Sequence, residues 1–283
     1  MRWDGLRSSN VEDRRGLGGP VAIGGGGLGL LAIVVISMLF GADPRQVLEQ
    51  VGGGQTQQVQ QRQPGQARPD DKLAEFSSAV LASTEQTWRQ EFSARGSTYE
   101  EPRLVLYDGY TQTGCGGGQA AMGPFYCPLD HRVYLDLSFF RELDQRFGAP
   151  GDFAGAYVIA HEVGHHVQTL LGVSDRVRAA QQSGGRSRAN ALSVRLELQA
   201  DCLAGVWAHH ANARQKIIEP GDVEEGIRAA SAVGDDTLSR ASGRAIAPDA
   251  FTHGSSEQRV SWFQTGYQSG RMEACDTFNS GRA

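Results

Sequence analysis

One stretch, His161-Glu162-Val163-Gly164-His165, constrains this chain more than any other. It is an H-E-x-x-H pattern. On a helix, residues i and i+4 stand one above the other, so His161 and His165 present two imidazoles to one point. Two neutral imidazoles converging there suit Zn²⁺. Glu162 is rotated by about 100° from His161, so it stands beside a metal rather than on it, placed to take a proton from a water activated there. The flanks predict a helix, with Asp152 as N-cap after Gly151 and Gly172 as the stop. Ala156, Ala160, Val163, Val167 and Leu170 recur at helical spacing opposite the histidines, so one face meets a core and the other a cleft. The competing reading is a buried helix that carries the motif by accident.

A second stretch weighs against accident. Glu197-Leu198-Gln199-Ala200-Asp201 lies in another helical run, roughly 190–210. A catalytic zinc takes three protein ligands and keeps an open position, and two His with one Glu form such a set. Glu197 is the candidate third ligand. Asp201, one turn on, can hold a ligand histidine by its other ring nitrogen. Other histidines are not expected to bind: His166 points about 100° away from His165, His209 and His210 lie more than two turns beyond Glu197, and His131 sits in a turn.

Composition narrows the class. The chain has 283 residues, a formal net charge of -5 and no large basic patch, so nucleic acid is not an expected partner. Four cysteines are few for a disulfide scaffold, and C-x-x-C is absent. Four allow three connectivities; the expected pairs are Cys115 with Cys127, which flank one hairpin, and Cys202 with Cys275, against the alternative of four free thiols.

The chain order predicts four regions. Residues 1–20 are short, polar and charged, and read as a cytoplasmic tail. Val21 to Phe40 carries no charge over 20 residues, long enough to cross a bilayer as a helix, although Gly24 to Gly27 and Gly29 weaken it. No small-x-small cleavage site follows. Four arginines precede the run and only Arg45 follows closely, so the expected topology is a single-pass anchor with the N-terminus in the cytoplasm and the remainder outside the bacterial cell membrane. Residues 41–69, rich in Gln, Gly and Pro, read as a disordered linker. Residues 70–283 form the expected catalytic domain: a helix ending near Phe92, strands at 103–107, 124–128 and 132–137, a short helix at 139–147, the two motif helices, a polar loop or flap at 174–188, a helix from Asp222, and a last helix opened by a Ser255/Gln258 capping box.

H-E-V-G-H-H followed by E-L-Q-A-D-C-x-A-G, together with Met1-Arg2-Trp3 and Asn10-Val11-Glu12-Asp13-Arg14-Arg15-Gly16, resembles the bacterial putative neutral zinc metallopeptidase family, a gluzincin-like pattern similar also to the CAAX-prenyl-protease family. The resemblance implies an α+β zincin-like domain, mostly helical with a small antiparallel sheet, here preceded by one transmembrane helix. It implies hydrolysis of peptide bonds in envelope or extracellular proteins, with Gly116 to Phe125 as a candidate edge for a substrate strand or, alternatively, an ordinary supporting hairpin. The stretch His253-x5-Arg259 is similar to a cleft-side stretch of the CAAX-prenyl-protease family, which makes His253 and Arg259 candidate catalytic donors to the oxyanion; the alternative is that His253 is a helix-entry residue and Arg259 an ion-pair partner of a buried carboxylate, Asp201 or Glu197. Gly254 stands where that pattern has proline. Residues alone say only metal-assisted hydrolysis. A tethered zinc-binding scaffold without turnover, or a zinc amidohydrolase of cell-wall material, are the alternatives.

Overall fold

A computed structural model describes residues 1–16, 71–241 and 247–279. Its sheet is built on β2 (Arg103–Tyr107). Strand side chains alternate between faces, and both faces of β2 are covered. Leu104 and Leu106 join the main core, while Val105 and Tyr107 join a smaller one with Cys127 and Tyr134. β2 pairs in parallel with β1 (Val11–Asp13) on one side and β6 (Arg132–Asp136) on the other. β5 (Phe125–Cys127) adds antiparallel to β6, giving the order β1-β2-β6-β5. The expected antiparallel sheet is therefore mixed. Two of its three pairings are parallel because β1 comes from the N-terminal stretch and because a separate hairpin, β3 (Tyr110–Thr113) with β4 (Gly116–Gln119), intervenes between β2 and β6. Cys115 is bonded to Cys127, tying that hairpin to β5. Gly118 is needed there: a Cβ would lie 2.5 Å from the Phe125 ring.

Residues 1–16 belong to the domain, which corrects the expected free tail. Leu104 N–H donates to Asn10 O (2.9 Å) and Arg14 N–H to Leu106 O (2.7 Å). Ser8 Oγ and Asn10 Nδ2 donate to the buried Glu85 carboxylate at 2.7 and 2.9 Å. Trp3 packs edge-on against Phe76. Arg15, almost fully buried, pairs with Asp13 at 2.7 Å and touches Asp71. The fold class needs a second correction. Among the described residues no helix is long and apolar enough to cross a membrane, against the expected transmembrane helix; the stretch expected to supply one, Val21 to Phe40, and the linker after it lie outside the described residues.

Helices make up the remainder. α1 (Lys72–Ser93) starts at Asp71, whose carboxylate accepts from Ala74 N–H at 3.2 Å. α2 (Phe139–Gln145) leads to the motif helix α3 (Asp152–Leu170). Asp152 is the first helical residue of α3 and does not cap it. Gly151 occupies the cap position at φ +113, and the Glu225 carboxylate of α6 (Asp222–Ala232) accepts from Phe153 N–H at 3.1 Å. A side chain on Gly151 would collide with that carboxylate.

The polar stretch 174–188 is not a loop. α4 (Val173–Gln182) and the start of α5 (Arg186–Gln215) occupy it. Val177 is the one buried side chain of α4, and Gln181 bonds Ala189 O and Ser193 Oγ on α5, so the helix docks through one apolar side chain and polar bonds. The small-residue stretch after Gly234 likewise begins with a short helix, α7 (Asp235–Ala241). α8 (Ser256–Ser269) opens on the Ser255/Gln258 capping box, with both reciprocal bonds made.

Glycines set how closely the helices cross. At the α3–α5 crossing, a Cβ on Gly164 would stand 3.0 Å from Ala200 O. At the α5–α8 crossing, one on Gly205 would lie 2.1 Å from Phe263 O and one on Gly266 only 1.9 Å from Cys202 O. Cys202 is bonded to Cys275 beyond α8.

Candidate active site

α3 and α5 meet at Gly164 and Ala200, and the approach delivers Glu197 to the two histidines of α3. Glu197 Oε2 stands 3.2 Å from His161 Nε2, and Oε1 3.4 Å from His165 Nε2. These ligand atoms all lie within 4.8 Å of one another. A tetrahedral zinc with bonds of about 2.0–2.2 Å separates its ligand atoms by about 3.3–3.6 Å, so the spacing fits.

Protonation fits as well. His161 Nδ1 lies 2.8 Å from Asp201 Oδ1. A carboxylate only accepts, so Nδ1 carries the proton and Nε2 keeps its lone pair. For His165 the same tautomer follows from a longer chain. Gln168 Nε2 donates to Leu196 O at 2.7 Å and to Gln199 Oε1 at 3.2 Å, which turns the Gln168 carbonyl toward His165 Nδ1 at 2.9 Å. Nδ1 must then donate, and Nε2 is again bare. Two bare nitrogens and a carboxylate facing one another repel unless a cation lies among them. Without a metal that cation is a proton: the carboxylates draw a second one onto the ring, and a bound metal would displace it. Burial lowers His161, but Asp201 and then Glu197 overcome it and raise the ring to about 10. Glu197 is held well below the usual carboxylate range by His165 and His161, against its burial.

Asp201 is fully buried and every bond it needs is made. Oδ1 accepts from His161 Nδ1, from Tyr157 Oη and from Arg259 Nη2 (2.9 Å), and Oδ2 from Arg259 Nε (2.9 Å). Arg259 also reaches Val233 O at 3.3 Å and Tyr157 Oη at 3.2 Å. Of the two roles expected for Arg259, the geometry matches the ion pair and not the catalytic donor. It stands behind His161 as the ion-pair partner of Asp201, and its guanidinium is spent on that carboxylate instead of facing a substrate carbonyl.

The cluster forms the floor of a cleft of about 1100 Å³. Glu162 lines it, 8% exposed; burial pushes its carboxyl upward in pKa, and His161 and His165 oppose the rise. β5 contributes Phe125 and Tyr126 to one wall. His253 lines the cleft with half its side chain exposed, and its Nδ1 lies 3.2 Å from Asp235 Oδ1. The other histidines are used elsewhere. His166 donates from Nε2 to Glu100 O (2.6 Å) and accepts at Nδ1 from Tyr126 Oη (3.0 Å); burial lowers it to about 4. His209 and His210 bond Tyr267 O and Gly270 O at the end of α8, and His131 pairs with Glu100.

The whole of this arrangement, from residue 1 to residue 278, matches the family described as putative neutral zinc metallopeptidase. The chain belongs to that family. The match takes in the N-terminal stretch that supplies β1 as well as the helices that carry the site. Among curated relatives, Uncharacterized protein YpfJ of Escherichia coli strain K12 is 49% identical over 288 residues, covering 98% of this chain and 99% of its own length. Uncharacterized protein Rv2575 of Mycobacterium tuberculosis strain H37Rv is 43% identical over 192 residues, 64% of each chain. No solved structure gives a significant match.

Three residues of this zinc metallopeptidase family member escaped the reading of its sequence. Tyr157 precedes His161 by one turn and Gln168 follows His165 by three residues, so each is a polar group on the histidine side of the helix, which is a usable signal. Asp235 meets His253 across 18 positions, and nothing local announces it.

Proposed function

We propose that this chain is a zinc-dependent peptidase that hydrolyses peptide bonds of envelope or extracellular proteins. The reading is carried by one observation: two histidines whose Nδ1 atoms are engaged by Asp201 and Gln168 turn their Nε2 atoms to Glu197 beside the buried carboxylate of Glu162. His161, His165 and Glu197 would hold the ion. When bound, zinc supplies Lewis acidity, which polarises a carbonyl and makes a neighbouring water easier to deprotonate. Glu162, its affinity for protons raised by burial, takes the proton of the attacking water and delivers it to the leaving amine. Asp201, held by Arg259 and Tyr157, keeps the His161 ring in position. His253 donates to the oxyanion that develops as the carbonyl is attacked. A substrate segment enters extended along the outer edge of β5, whose other edge is used by β6.

Two disulfides support work in an oxidising compartment. A scaffold without turnover would have no use for Glu162 in this position, and a cell-wall amide substrate is separated by the choice of test substrate. The test is metal analysis of the purified full chain together with casein or peptide cleavage. One zinc per chain and turnover lost in Glu162→Gln, with zinc retained, are expected. A zinc-loaded wild type that leaves every peptide intact, or a Glu162→Gln variant as active as wild type, overturns the reading.

A further inference from the structure

We propose that Asp235 is a positioning residue that pins the loop carrying His253 with one carboxylate oxygen and holds the His253 ring by its Nδ1–H with the other. The proposal rests on the peptidase reading for its effect on turnover, and on the geometry alone for its effect on the ring.

Asp235 Oδ2 accepts from three successive backbone N–H groups, Thr252 at 2.8 Å, His253 at 2.7 Å and Gly254 at 3.0 Å. Asp235 N–H returns a bond to Gly254 O at 2.9 Å. The loop is thus closed on Asp235 from both directions. It rests on the turn of α5 that bears Glu197: a Cβ on Gly254, at φ +91, would meet Leu198 Cδ2 at 3.2 Å and Val194 Cγ1 at 3.3 Å. Oδ1 remains for the ring, 3.2 Å from His253 Nδ1, with Thr252 Oγ1 beside it at 3.1 Å. Because Oδ1 can only accept, Nδ1 holds a proton and Nε2 is the nitrogen left for the cleft; Nε2 donates there in the doubly protonated ring, whose charge the Asp235 carboxylate offsets. Asp235 itself is mostly covered while His253 is half open, as a rigid holder and an exposed working group should be.

The next residue performs a different task. Asp236 Oδ1 accepts from Ser256 N–H (2.7 Å) and Ser256 Oγ (2.8 Å), fixing the first turn of α8. Arg259 lies on the following turn and holds Asp201. The two aspartates therefore divide the labour. Asp235 governs the substrate side through His253, and Asp236 governs the metal side through Arg259, Asp201 and His161. Gly234 before them has no room for a side chain, since a Cβ would lie 2.4 Å from Ser256 N.

The charged groups around His253 are Asp235 on α7, Glu197 on α5 and Arg259 on α8. Asp235 raises the ring most, burial lowers it, Glu197 raises it and Arg259 lowers it, with a net rise. The protonated ring thus persists to higher pH, and a function that needs it is lost as pH rises through the raised value.

Asp235→Asn tests this in the full chain. The amide oxygen can still accept from the loop, but its NH₂ faces Nδ1 and can neither accept from it nor offset the charge of the doubly protonated ring. Expected are wild-type zinc content and thermal midpoint, kcat at neutral pH reduced by about 10- to 100-fold with KM little changed, and an alkaline limb moved to lower pH. In a His253→Ala background the same substitution should have no further effect on kcat. Nitrogen-15 NMR of the ring gives a readout free of turnover, with the doubly protonated ring persisting to higher pH in wild type than in the variant. Asp236→Asn should do the reverse, lowering the thermal midpoint and zinc retention first. Unchanged kcat and limb, additive losses with His253→Ala, or loss of fold or zinc in Asp235→Asn overturns the proposal. If the wild type cleaves no peptide, the reaction assignment fails, and an unchanged ring titration would overturn the role of Asp235 independently.

Discussion

Asp201 shows what a single carboxylate does when it is fully enclosed. It meets an imidazole, a phenol and a guanidinium, and removing its charge strands Arg259 in the interior. Asp201→Asn is therefore expected to destabilise the fold by about 3–5 kcal/mol, the usual result of breaking a buried pair, and to weaken zinc binding by about 10–100-fold. Glu197→Ala, by contrast, should empty the site of most of its metal while disturbing the fold less. Chelator competition and thermal unfolding on both variants check the contrast, and the opposite ranking in metal loss would exchange the two roles. These residues were legible beforehand because each stands one helical turn from its working neighbour on its own helix: His161 from His165, Glu197 from Asp201. Arg259 is open to two readings in the sequence, catalytic donor or partner of Asp201, because that partner lies 58 positions away. The stretch similarity led to the cleft, whereas the buried carboxylate draws the side chain behind it.

Helix packing decides whether those turns can meet. Gly164 is one of the two unspecified positions of H-E-x-x-H, yet the structure needs it small, because α5 passes with Ala200 O 3.0 Å from where a Cβ would stand. Gly164→Ala should push the two helices apart by a few tenths of an ångström, with a cost of about 1–3 kcal/mol for overpacking. Glu197 would withdraw with α5, so zinc affinity should fall although every ligand is present. Equal zinc affinity in Gly164→Ala and wild type would show that the crossing has slack. Apolar residues at helical spacing make α1 and α3 readable. α4 reads as loop because it is short and polar and buries only Val177. The parallel pairing of β2 was hidden for a related reason: a strand of three residues, Val11–Asp13, carries no alternation from which pairing could be read.

Across the whole molecule, the first sixteen residues are a structural part of the catalytic domain. Their apolar anchors, Trp3, Leu6 and Val11, are single residues among charges, so composition alone made the stretch resemble a tail. A chain beginning at residue 70 would lack β1, leave the edge of β2 open, and leave Glu85 without Ser8 and Asn10. It is expected to be aggregation-prone or unfolded, where the full chain gives one cooperative transition. Arg15→Met isolates the effect, since it strands Asp13 beside Asp71; a loss on the order of 3 kcal/mol is expected, read as a lower urea midpoint at unchanged m-value. An unaffected midpoint would mean that the N-terminal stretch only rests on the domain.

The contact between Arg15 and Asp71 also bears on sidedness. Arg15 and Asp71, which stand at or next to the two ends of the stretch outside the described residues, are held together by an ion pair next to a shared sheet. Strands that hydrogen-bond to one another occupy one aqueous compartment. Residues 1–16 and 71–279 therefore lie on the same face of any bilayer the protein meets, and the arrangement with a cytoplasmic N-terminus and an external catalytic domain is incompatible with β1 in its place. Reporter groups at the exposed Gly5 and Gly185 should become reachable by an impermeant reagent from the same side. Labelling from opposite sides would mean that β1 is not paired with β2 in the cell.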